Sequence, residues 1–128
     1  MPASFDYAVL RLVPRVEREE FLNVGVLVFC REKRMLAART HLDEARLQRL
    51  WPDLDLDVVR QHLHAVERIA AGDADAGPIA RLSQPERFHW LVAPRSTILQ
   101  TSPVRTGIYR EGEDLAARLL EQLVLPKA

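Results

Sequence analysis

Residues 5–13 read FDYAVLRLV, a run of aromatic and β-branched side chains closed by Pro14, whose ring nitrogen has no hydrogen to offer a sheet. The pattern predicts a strand with Phe5, Tyr7, Val9, Arg11 and Val13 on one face and Ala8, Leu10 and Leu12 on the other. Both faces are apolar, so the strand belongs in the middle of a sheet covered on two sides, and Arg11 is the residue that does not fit. A second run, residues 21–30, alternates Leu22, Val24, Val26, Val28 and Cys30 against Asn23, Gly25, Leu27 and Phe29. After the polar residues 31–34 the short stretch MLAART reads as the returning arm of a hairpin.

The period then changes. Leu56, Val59, Leu63, Val66 and Ala70 recur at three and four residues, the stripe of an amphipathic helix. Asp55 stands where an N-cap is needed, Leu54 can staple onto Val59, and Gly72 ends the pattern. A shorter helix over residues 43–51 should precede it and break at Pro52. Residues 72–78, GDADAGP, read as a surface loop. Ser83-Gln84-Pro85-Glu86 has capping-box spacing and opens a short helix through Leu91 that Pro94 stops. Residues 96–101 and 104–109 read as two short strands around a Ser102-Pro103 turn, and residues 113–125 as a terminal helix. Strands at both ends with helices between them indicate a single α+β domain over residues 1–128, with a mainly antiparallel sheet of about five strands packed against three to four helices.

Composition narrows the function. The 128 residues are 48% apolar, and 18 basic side chains balance 18 acidic ones. Such a chain can bury a core without a disulfide or structural metal, and its neutrality makes general binding to nucleic acid unlikely. The lone Cys30, the lack of a signal-like start and the lack of a membrane-length apolar run lead us to expect a cytoplasmic protein that does not enter the membrane. No phosphate-cradling glycine loop, nucleophile elbow or zinc spacing occurs, and no metal or cofactor is expected. His62 and His64 are two apart on a helix and point away from each other.

The charge is nevertheless uneven. Residues 79–109 hold Arg81, Arg87, Arg95 and Arg105 against Glu86 alone, accompanied by His89 and by hydroxyls such as Ser96. Guanidinium forks with hydroxyl donors suit a phosphate or carboxylate, and a histidine can exchange a proton at neutral pH. An anion site would therefore draw on Arg11, Asn23, Arg95, Ser96 and Arg105, with Glu20 and His89 as the acid–base pair. Asn23 has a second reading, as a structural bracket that holds the loop containing Glu17 and Glu20. Phe88 and Trp90 straddle His89 and point different ways, so one of them is a candidate anchor for a protein partner.

The blocks FDYAVLRLVPRVEREEFLNVGVLVFC and ERFHWLVAPRSTILQTSPVRTG resemble the bacterial family called domain of unknown function 3037. The shared pattern is Y-A-V-L-R at Tyr7 to Arg11, E-F-x-N-x-G-V-x-x-F at Glu20 to Phe29, then R-F-x-W at Arg87 to Trp90 and P-R-S-T at Pro94 to Thr97. The resemblance implies no activity. Proteins of this kind tend to be encoded beside HipA-like kinases, which implies an accessory role with such a kinase as partner. Two functions follow as expectations: a non-enzymatic module that binds a protein, or a small enzyme or sensor for a phosphorylated or nucleotide ligand.

Overall fold

The computed structural model describes residues 3–126. Its five strands are β1 (Ala3–Leu12), β2 (Leu22–Cys30), β3 (Met35–Thr40), β4 (Leu99–Thr101) and β5 (Arg105–Tyr109). Its four α-helices are α1 (Glu44–Leu50), α2 (Leu56–Ala71), α3 (Gln84–Val92) and α4 (Leu115–Leu123). The strands form one antiparallel sheet in the order β3-β2-β1-β4, with β5 also paired to β1. β1 is central, as its two apolar faces require.

Each face of β1 has its own core. Leu10 and Leu12 join Leu27, Phe29 and Leu36 beneath α2 and α3, whereas Ala3 and Phe5 join Val26, Val28 and Cys30 beneath α4. The helices form where local chemistry directs them. Asp55 accepts from the amides of Asp57 and Val58 at the start of α2, and Gly72 ends it at φ +74°. Leu56, Val59, Leu63 and Ala70 of the expected stripe are buried, with Val66 packed at its margin. The Ser83–Glu86 box is formed in both directions.

Two features of the sheet depart from the reading of the sequence. In β2 the pairing steps from Leu10↔Gly25 to Arg11↔Asn23, so Val24 is an extra residue, a β-bulge. Leu22 and Val24 therefore face α2 and α3 while Val26, Val28 and Cys30 face α4; the five do not share one side. Gly25 is required there, since a Cβ would lie 2.7 Å from the Arg39 carbonyl oxygen and 2.9 Å from Leu10. Secondly, β4 and β5 do not pair with each other. They lie end to end along β1, joined through Ser102, whose amide donates to the Val9 carbonyl (2.9 Å) and whose hydroxyl accepts from the Val9 amide (2.8 Å). Residues 96–98, read as strand, lie outside β4.

Candidate functional site

The cations singled out in the sequence do not gather. Arg95 follows α3 and turns back on it: Nε donates to the Ala93 carbonyl (3.2 Å), Nη2 to that of Trp90, and the guanidinium covers the Trp90 ring at 4.5 Å from its centroid. Two of its donors go to the carbonyl end of a helix, where a cation is favoured. Arg95 thus sits on the α2/α3 side, in a crevice with Leu10, Val66 and Leu91. Arg11 lies between Leu10 and Leu12, which face that side, so strand alternation sends it to the other. There its guanidinium lies 4.2 Å from the centre of the Phe21 ring. Arg105 is exposed at the start of β5, opposite Tyr7, and Ser96 is exposed in the loop before β4.

The proposed acid and base also separate. His89 is exposed on α3. Glu20 is held by Arg18, whose hydrogen bond first and charge second keep the Glu20 carboxyl below its ordinary range. That makes it a weaker base near neutrality, the opposite of what proton abstraction needs. The groove that Glu20 lines is not lined by Arg11, His89, Arg95 or Arg105. Among the described residues no cluster of His, Cys, Asp or Glu could hold a metal ion.

Asn23 is a bracket, but for a different element from the one expected. Its Nδ2 donates to the Leu123 carbonyl (3.1 Å), so it ties β2 to the end of α4 and not to the loop containing Glu17 and Glu20. Asn23 Oδ1 and the Nε of its cross-strand neighbour Arg11 are both buried without a partner. Of the two candidate anchors, Phe88 is corrected outright: it is 6% exposed and stacks on Phe29 with ring centroids 5.3 Å apart. α3 turns Phe88 and Leu91 inward, which leaves Trp90 on the outside at 39% exposure. Arg87 is buried too. Its Nη1 donates to the Ile69 carbonyl (3.4 Å), and a Cβ on Gly72 would come within 2.5 Å of it, so the side chain closes the end of α2.

The site that reading the sequence missed is a groove of about 570 Å³ between the β1–β2 connection and the α1–α2 link. Pro14, Arg15 and Arg18 form one wall; Leu50, Trp51 and Leu54 form the apolar part of the other, with Asp53 and Asp55 beside them. Leu50 is 53% exposed at the end of α1, and Phe21, next to Glu20 in the chain, is 45% exposed. The available signal was local: α1 is seven residues long and buries only Leu47, so Leu50 in its last turn is left outside, while the following Trp51 packs partly against the core.

The molecule is therefore a small α+β domain with a two-sided sheet, an open groove of mixed apolar and charged lining and no gathered catalytic constellation among the described residues. The chain belongs to the family described as "Protein of unknown function (DUF3037)", whose model matches residues 7–124, and the resemblance drawn from the Tyr7–Arg11 and Arg87–Trp90 blocks is confirmed. No curated protein and no solved structure matches it. No helix of the described residues is long and apolar enough to cross a membrane.

Proposed function

We propose that this protein is a non-catalytic accessory module that docks a protein partner, a HipA-like kinase, through the groove beside Leu50. The observation that carries this reading is the exposure of Leu50 on the rim of that groove. Leucine gains about 2 kcal/mol from full burial, and a partner that covers it recovers what the fold leaves unused. Arg15 and Arg18 on one wall and Asp53 and Asp55 on the other give the rim both signs of charge, which orient a partner more than they hold it. The segment after residue 80 contributes less: its exposed aromatic, Trp90, is already covered on one face by Arg95. A phosphorylated or nucleotide ligand is the weaker reading, because Arg11 and Arg95 serve different faces of the sheet.

The test is calorimetric titration of the purified chain with the purified kinase. Leu50→Glu should weaken binding by at least about tenfold and leave the melting temperature unchanged, since Leu50 lies outside both cores. Absence of binding, or binding that neither Leu50→Glu nor Phe21→Ser alters, overturns the proposal.

A further inference from the structure

The part of the sheet that α4 leaves open carries an inference that does not rest on the groove at Leu50. On this side α4 lies over β2 and β3, and the core beneath it takes in Ala3, Phe5 and Tyr7 of β1 and stops there. Val9, next on the same face, is half-buried and joins neither core, although Val26 directly across from it is fully buried. The middle of the sheet is therefore open to solvent beside α4.

Two cations border that opening. Arg11 follows Val9 on the same face of β1, and Arg105 shares the face because it pairs with Tyr7. An arginine in a sheet is best placed opposite a carboxylate. Here the opposite residues are neutral: Asn23 and Gln100 flank Arg11, and Tyr7 faces Arg105. Among the described residues neither arginine forms an ion pair. Arg11 is also partly withdrawn from water, with its guanidinium on the Phe21 ring and its Nε buried without a partner. A cation so placed costs stability that an arriving anion returns.

The spacing selects the anion. Arg11 and the Tyr7–Arg105 pair are four residues apart along β1, about 13 Å in a strand. Phe21 lies beyond Leu22, at the end of the sheet away from Arg105, and draws the Arg11 guanidinium that way. A single small anion therefore does not serve both cations, whereas two anionic groups separated by an apolar one do. A nucleic-acid strand repeats its charge at every step and draws on a positive excess that this neutral chain lacks. We propose that this open face binds an acidic peptide segment of a protein partner, with two carboxylates paired to Arg11 and Arg105 and an apolar side chain between them on Val9. Guanidinium forks take carboxylates through two parallel hydrogen bonds, which fixes where the segment lies along β1.

Methyl NMR of the full chain tests this, by titration with a synthetic peptide that carries two glutamates four residues apart and a leucine midway. The peptide should shift the Val9 methyl signals, and its counterpart with lysines for glutamates should not. Arg105→Glu should weaken binding by at least about tenfold and make the lysine peptide the better ligand, a reversal that loss of folding cannot produce. Leu50→Glu should leave the affinity unchanged, which separates this surface from the groove. Val9 signals that stay in place at millimolar peptide overturn the proposal. So does an affinity that Arg105→Glu leaves intact or that Leu50→Glu abolishes, or a thymidine oligonucleotide that moves Val9 more than the peptide does.

Discussion

The two faces of the sheet are covered very differently. On one side α1, α2 and α3 enclose sixteen buried side chains of the described residues; on the other the nine-residue α4 covers eight. The thick side is held by many mutually packed apolar groups, and any one of them is supported by several others. The thin side depends on Leu115, Ala116 and Leu119, with a hydrogen bond at the far end of the helix from Asn23 to Leu123. Stability is thus unevenly shared, and α4 is the element whose local opening should cost least.

The largest expected effect sharpens this contrast. Leu63→Ala, on the thick side, should lower the free energy of unfolding by about 3 kcal/mol, and Leu119→Ala by about 2 kcal/mol, because the thinner layer collapses more readily onto the space left behind. Urea denaturation measures both; a larger loss at Leu119 would reverse the ranking of the two faces. Next comes Asn23→Ala, which should cost about 1 kcal/mol and speed amide exchange in α4 while leaving α2 as it was. Equal acceleration in both helices would mean that the bracket serves the whole domain. The smallest effect concerns acid. A hydrogen bond from Arg68, then one from the Asp75 amide, hold the Asp73 carboxyl below its ordinary value. A carboxyl lowered in the fold stabilises it while ionised, and that contribution disappears as the pH falls through the folded value. Asp73→Asn should therefore slightly lower the melting temperature above about pH 4 and make no difference well below it. A difference that persists in strong acid would show that the side chain acts through its shape and not its charge.

Local chemistry was legible and long-range geometry was not. The α2 stripe, its Asp55 cap and Gly72 terminus, and the Ser83 box all concern groups within a turn of one another, so spacing alone decides them. The extra residue at Val24 leaves no mark on an apolar run, because valine suits either face; only the pairing of β1 with β2 shows that the alternation changes sides. Arg11 and Arg95 looked like partners since guanidinium forks beside hydroxyl donors suit an anion, but strand parity sends Arg11 to one face and the end of α3 holds Arg95 on the other. Phe88 and Trp90 were recognised as divergent without the information that says which turns inward; Phe29 across the core supplies it. The groove escaped notice because Leu50 looks like a core residue until α1 is seen to bury Leu47 alone.

The far margin of the sheet behaves unlike β3. There the neighbour of β1 is split at Ser102 into a three-residue and a five-residue piece, and the serine spends its own amide and hydroxyl on Val9. So interrupted a rim is a poor template for another chain. Of the two margins of the sheet, β3 is the one with an unbroken run of outward amides and carbonyls, at Leu36, Ala38 and Thr40.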